Sequence, residues 1–313
     1  MLRTHPAFWY KHRSILPEIL VPKLNYLLIC LLVAFGAGCT TMPNLPSVTE
    51  TPTNTSLPGK IIWHELLTDT PAASEAFYTE LFGWEFESVG FGFASAATAN
   101  YRLIRHDGRL IGGMIDQSRL DTDEDISQWV VLMATDDIER AVGVVAADGG
   151  TVFTPPTALA NRGRIAVVAD PQGALFALLE TKDGDPLDYE PELNDFLWHE
   201  LWTDDGAGAI AFYRRLAGYD LEEKAVPDDE AYQFLSKDGV PRAGILLNPI
   251  EDLPPLWSTY VRVEDPAAIT ARVEALGGQV LLPVQDRALG GQVALIAGPS
   301  GAGFVIQTWQ PQD

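Results

Sequence analysis

The 313-residue sequence is poor in cysteine, histidine and basic side chains. Its two cysteines, Cys30 and Cys39, both fall within the first forty residues, so the remaining chain has no disulfide to form. Only five histidines are present, which limits imidazole-based metal chemistry. Lys and Arg total 21 against 43 Asp and Glu, a formal charge of −22. A chain this acidic repels phosphate backbones, no basic stripe offsets the repulsion, and nucleic acid is excluded as a partner. The apolar run from Leu24 to Phe35 is shorter than the ~20 residues of a membrane-spanning helix. What the chain does have is 47% hydrophobic and 10% aromatic residues, enough for a sizeable core and too many for wholesale disorder.

The first forty residues have the pattern of an export signal. Arg3, Lys11, Arg13 and Lys23 precede the run LNYLLICLLVAF, and Gly36-Ala37-Gly38 leads directly into Cys39. Small residues before a cysteine resemble the bacterial lipobox, which implies acylation of Cys39 after removal of residues 1–38. The expected location is therefore the bacterial cell envelope, with a membrane partner reached through a lipid anchor and the globular part outside the cytoplasm. Residues 39–59 (CTTMPNLPSVTETPTNTSLPG) are rich in Thr, Pro, Ser and Asn and are expected to form a disordered tether.

Beyond the tether the sequence is duplicated. Residues 61–88 align without gaps to 196–223 with 13 identities in 28, including Trp63/Trp198, His64/His199, Glu65/Glu200, Phe77/Phe212 and Tyr78/Tyr213. The match resumes at Trp129/Trp257, Gly149-Gly150/Gly277-Gly278 and Pro171-x-Gly173-Ala174/Pro299-x-Gly301-Ala302. This divides the chain into domain 1 (residues 60–181), an acidic linker (182–195) and domain 2 (196–310). Each copy splits again into two similar halves. The first reads as a strand over 60–67, a helix over 71–82 stopped by Gly83, and strands flanking the Asp107-Gly108 turn. The second repeats the order from Trp129. The unit is strand–helix–strand–strand–strand, an α+β design present four times.

These residues resemble the vicinal oxygen chelate superfamily of glyoxalases, bleomycin-resistance proteins and extradiol dioxygenases. The matching pieces are Phe77-Tyr78…Leu81-Phe82-Gly83-Trp84, Gly149-Gly150 and Asp170-Pro171-Gln172-Gly173-Ala174. The resemblance is closest to tandem, glyoxalase-like proteins that begin with a Trp-x-(Glu/Asp)-Leu strand. It implies that each domain is a pair of βαβββ modules curled into a half-barrel with a cleft, and that the cleft of many members binds a divalent metal. Registered on this chain, the ligand positions fall at Trp63, Gly113, Val130 or Val131 and Ala177, and at Ser258 or Thr259, Gly244 and Val305 in the second copy. None of these sets can chelate, so no family metal is expected.

Strand alternation groups His64 with Ile62 and Leu66 toward the packed helix, and Trp63 with Glu65 toward the cleft. His64 then reads as a buried, hydrogen-bonded histidine. The alternative is a Zn, Ni, Mn or Fe site built from His64, His199 and Glu180. Glu65 and Glu200, beside tryptophans, are candidate cleft-facing anchors, with Arg102 and Arg262 as candidate neutralising partners. Trp63, Tyr101, Trp129, Trp198, Tyr232 and Trp257 complete a set suited to a small apolar or aromatic molecule. The expected function is an exported small-molecule binding protein like the bleomycin-resistance proteins. The alternatives are a metal-dependent lyase or dioxygenase of the superfamily, a metal-free enzyme using Glu65 or Glu200, or a tethered envelope scaffold.

Overall fold

A computed structural model describes residues 45–89, 101–119, 124–226 and 231–309. The export signal and Cys39 lie outside them. Among the described residues no helix is long and apolar enough to cross a membrane.

Domain 1 runs β1 (Ile61–Thr68), α1 (Pro71–Phe82), β2 (Glu85–Ser88), β3 (Tyr101–His106), β4 (Arg109–Asp116), β5 (Gln128–Ala134), α2 (Ile138–Ala147), β6 (Thr151–Leu159), β7 (Gly163–Ala169) and β8 (Leu175–Thr181). Domain 2 repeats the order as β9 (Phe196–Thr203), α3 (Gly206–Ala217), β10 (Asp220–Lys224), β11 (Tyr232–Lys237), β12 (Val240–Leu247), β13 (Leu256–Arg262), α4 (Pro266–Val273), β14 (Gln279–Asp286), β15 (Gln292–Ala297) and β16 (Gly303–Gln307). The sheets have matching strand orders, β2-β3-β4-β1-β5-β8-β7-β6 and β10-β11-β12-β9-β13-β16-β15-β14. Each is an open eight-stranded sheet of two βαβββ modules joined through β1–β5 or β9–β13, so the α+β tandem reading holds.

Local chemistry sets the element ends. Pro71 opens α1 at a position that needs no amide donor, and Gly83 closes it in the left-handed region at φ 71°. Asp205 caps α3 by accepting the Gly208 amide, and Asp137 caps α2 by accepting that of Arg140. The Asp107-Gly108 and Asp238-Gly239 turns have positive φ at both residues, as a tight two-residue hairpin requires.

The domains pack back to back through their helices. Phe77, Tyr78 and Phe82 of α1 lie against Ala294, Ile296 and Phe304 of domain 2, while Phe212 and Tyr213 of α3 join Val168 and Phe176 of domain 1. The concave face of each sheet is thereby left to a separate apolar cluster, around Trp63 in domain 1 and Trp202 in domain 2.

Residues 45–59 depart from the expected loose tether. Leu45 and Val48 are buried within domain 1's concave cluster. The segment's own composition is too polar to fold alone, but the cleft supplies the apolar surface that the segment lacks.

Candidate ligand-binding clefts

Each concave face is built around one buried carboxylate. Alternation along β1 turns Trp63 and Glu65 into the cleft and His64 and Leu66 to the back. A bulge between Ile61 and Trp63 moves Ile62 to the cleft side, so it does not share the face of His64 as simple alternation predicts. Glu65 Oε1 accepts from Trp63 Nε1 at 2.8 Å, the Tyr101 hydroxyl at 2.7 Å and Arg162 Nη1 at 3.3 Å. The Arg162 guanidinium also donates to the Tyr101 hydroxyl at 2.9 Å and lies 4.4 Å from the Trp63 ring centre. Burial raises the pKa of Glu65 above the ordinary carboxylate range, opposed by the Arg162 charge and the hydrogen bonds.

Domain 2 repeats the quartet. Glu200 accepts from the Tyr232 hydroxyl at 2.6 Å and from Arg287 on Oε1, and from Tyr260 on Oε2. Trp198 Nε1 donates to Tyr232 at 2.8 Å, and Arg287 also donates to Gln307. Burial works against the Arg287 charge, but Glu200, Tyr260 and Tyr232 together outweigh it and the pKa of Arg287 moves up. Tyr260 stands opposite Trp198 where domain 1 has Leu132 opposite Trp63, which gives Glu200 a donor on each oxygen.

This arrangement does not fit the superfamily's metal. Gly113 pairs with Glu65 across the parallel strands, and Gly244 pairs with Glu200. A Cβ at Gly113 would run into the Tyr101 hydroxyl and Glu65 Oε2, and one at Gly244 into the Tyr232 hydroxyl. The place for a ligating side chain is thus filled by the tyrosine. A cation there would meet a guanidinium, two or more hydroxyl or indole donors and a single carboxylate, the reverse of an anionic chelating set.

The sequence-predicted residues separate into three groups. Trp63, Glu65 and Tyr101 come together in one cleft, and Trp198, Glu200 and Tyr232 in the other. Trp129 and Trp257 do not line a cleft, which corrects that expectation. Trp129 sits on the same side of β5 as Val131 and Met133, faces the domain interface and donates to Tyr78 at 3.1 Å. Trp257 donates to Tyr213 at 3.0 Å in the other half of the interface.

His64 and His199 meet across the interface, Nε2 to Nε2 at 2.7 Å, with His64 stacked on Phe196. His64 Nδ1 lies 3.0 Å from the Ile111 carbonyl, which can only accept, so Nδ1 carries the proton and His199 Nε2 donates to His64 Nε2. Burial lowers the pKa of His64 to about 4, and burial followed by the His64 charge lowers that of His199 well below 6.5. Glu180 does not join them. It accepts the Ile138 amide at the start of α2 at 3.0 Å, and among the described residues no three His, Cys, Asp or Glu side chains cluster to hold a metal.

The neutralising arginines are also reassigned. Arg102 pairs with Glu75, and Arg262 donates to the Pro191 carbonyl. Arg162 and Arg287 take their place from the β6–β7 and β14–β15 connections, where the two copies differ in length and alignment does not superimpose them.

The clefts differ in occupancy. Leu45, Pro46 and Val48 lie in that of domain 1. Domain 2 has a cavity of about 990 Å³ lined by Trp198, Tyr232, Phe234, Arg287, Gln307 and Trp309, among others. That volume is at the upper end for small-molecule sites, and its walls combine aromatic rings with three basic side chains, Lys224, Arg262 and Arg287.

Two open sheets of paired βαβββ modules, each with a polar quartet at the base of its cleft, define the class of fold. The family model of the glyoxalase/bleomycin resistance protein/dioxygenase superfamily matches residues 60–178. The chain is 30% identical over 265 residues to the anthracycline biosynthesis protein DauV of Streptomyces sp., covering 80% of this chain and 93% of that protein. It is 28% identical over 254 residues to CFP32 of Mycobacterium tuberculosis, a protein named as a glyoxylase, covering 80% and 95%. In fold it matches the Mn(II)-bound glyoxalase of Novosphingobium aromaticivorans (TM-score 0.51, 16% identity, 81% and 82% covered). It also matches homoprotocatechuate 2,3-dioxygenase of Brevibacterium fuscum (TM-score 0.52, 16% identity, 86% and 75% covered). The chain belongs to the glyoxalase/bleomycin resistance protein/dioxygenase superfamily.

Proposed function

We propose that this protein binds a small apolar or aromatic molecule in the cleft of domain 2, without a resident metal. The observation that carries the reading is the cavity of about 990 Å³ whose aromatic walls border Arg287, with its side chain only 6% exposed. Glu200 has a donor on each oxygen, so it orients Tyr232, Tyr260 and Arg287. Arg287 offers the ligand a charged donor held in place by Glu200 and Gln307. The naming of Streptomyces relatives for anthracycline biosynthesis supports an organic small molecule. The same carboxylate–guanidinium arrangement weighs against a metal-dependent lyase or dioxygenase.

We also propose that the protein is exported and lipid-anchored through Cys39, a reading supported by the basic segment, apolar run and small residues before that cysteine. Palmitate labelling lost in Cys39→Ala supports the anchor; unchanged labelling overturns it.

The binding reading is tested by titrating flat aromatic carbonyl compounds against tryptophan fluorescence. Trp198→Ala and Arg287→Met are each expected to weaken binding at least tenfold with the fold retained by circular dichroism. Unaltered affinity in both variants removes the cleft of domain 2 from the function.

A further inference from the structure

The segment before β1 is held at several points along domain 1. Leu45 and Val48 are buried in the cluster that contains Trp63, Tyr101 and Phe153. Between them the Pro46 carbonyl accepts from Arg162 Nε at 3.0 Å, so the guanidinium that holds Glu65 also reads the segment's backbone. Glu50 pairs with Arg105 at 2.5 Å. Further along, the Thr53 and Asn54 amides donate to the Asp183 carbonyl at 3.0 and 3.1 Å. The Leu57 amide donates to Asp185 Oδ2 at 2.7 Å, and the Asp185 amide returns to the Thr55 carbonyl at 2.7 Å. Gly184 permits the crossing, because a Cβ there would stand 2.6 Å from the Asn54 nitrogen. A loose polar spacer would leave these backbone amides and the Leu45 and Val48 side chains to solvent.

The occupant resembles a ligand in chemistry. Two apolar groups fill the cleft, and a carbonyl oxygen is presented to the arginine of the quartet. In domain 2 the corresponding arginine, Arg287, faces the cavity. We propose that the cleft of domain 1 is a second ligand site kept latent by residues 45–50 of the same chain, and that it takes an apolar molecule carrying an acceptor oxygen once that segment is displaced. The protein as folded then has one open site, and release of the segment gives it two.

The full chain is titrated with the apolar sulfonate dye 1-anilinonaphthalene-8-sulfonate, alone and with a synthetic peptide of residues 45–57. The wild-type count reports domain 2; the change on releasing the segment reports domain 1. The double variant L45S/V48S is expected to bind one dye equivalent more than wild type, and excess peptide is expected to remove only that extra equivalent. An equal count in variant and wild type, with near-ultraviolet circular dichroism unchanged, overturns the proposal. Should the double variant fail to fold, Glu50→Lys frees the latch to Arg105 at the surface. Faster hydrogen exchange at residues 53–57 in that variant than in wild type supports the latch. Full exchange of those amides in wild type within seconds overturns it.

Discussion

The two domains share one polar device and use it differently. In domain 1 the Trp63–Glu65–Tyr101–Arg162 quartet is sealed beneath the chain's own residues 45–48, and both Glu65 Oε2 and Arg162 Nη2 are buried with no hydrogen-bond partner among the described residues. In domain 2 the Trp198–Glu200–Tyr232–Arg287 quartet has an extra donor, Tyr260, and opens on a cavity. After duplication the scaffold kept the carboxylate–guanidinium base in both copies, and occupancy became the difference. The sealed copy bears the cost of orphaned polar atoms, whereas the open copy satisfies its carboxylate and leaves its cation toward the cavity.

Removing the arginine is the strongest way to break that comparison. Arg162→Met strands Glu65 under the segment, and loss of one partner of a buried pair costs about 3–5 kcal/mol. Arg287→Met leaves Glu200 beside a cavity that water can enter and with Tyr232 and Tyr260 still donating, so the loss is expected to be about half as large. Urea unfolding midpoints of the two variants measure the difference; equal losses would mean that the seal over domain 1 does not matter.

Acid acts on what the domains share. His64 and His199 are both held neutral: protonating His64 would set two N–H donors against each other, and protonating His199 would place a charge in the buried interface. Their folded pKa values lie below the unfolded value of 6.5, so the stabilisation is full above pH 6.5 and is lost as pH falls toward about 4. His64 alone is expected to account for about 3 kcal/mol of this loss. Because the pair spans the interface, acid should shift both domains together, unlike the arginine variants. In His199→Leu the slope of stability between pH 6.5 and 4 should shrink; an unchanged slope would place the acid sensitivity elsewhere.

A smaller asymmetry is expected at the glycines under the tyrosines. Gly113→Ala pushes Tyr101 against packed neighbours, an overpacking cost of about 1–3 kcal/mol. Gly244→Ala pushes Tyr232, which borders the cavity and can yield into it, so the stability loss should be smaller and ligand affinity should fall instead. Thermal unfolding alongside a binding titration separates the two outcomes.

The contrast also marks what sequence can carry. The repeat, the helix beginning at Pro71 and the Asp-Gly turns are local or periodic signals, and they gave the modules and their order. The facing of Trp63 and Glu65 follows from alternation alone. The arginine partners do not, because they lie 97 and 87 residues from their glutamates, in hairpins of unequal length. Nor could composition reveal residues 45–50 as cleft-filling, since only two aliphatic side chains are involved and their burial depends on a surface that tertiary structure creates. The meeting of His64 with His199 was hidden for the same reason. Each repeats the other's position, and only the back-to-back packing turns that repetition into contact.

The smallest expected effect separates the cleft tryptophans from the interface tryptophans. Trp129→Phe and Trp257→Phe each delete one buried indole N–H bond, to Tyr78 and Tyr213, while retaining most of the aromatic packing. Each should cost about 1 kcal/mol of stability and leave ligand affinity unchanged, because both rings lie behind the sheets. Trp198→Phe removes the donor to Tyr232 at the cavity wall, so its effect should appear in affinity at least as strongly as in stability. Sequence pattern alone places all three in one aromatic set. Affinity lost in Trp257→Phe but kept in Trp198→Phe would reverse the assignment and move the ligand from the concave face to the interface between the domains.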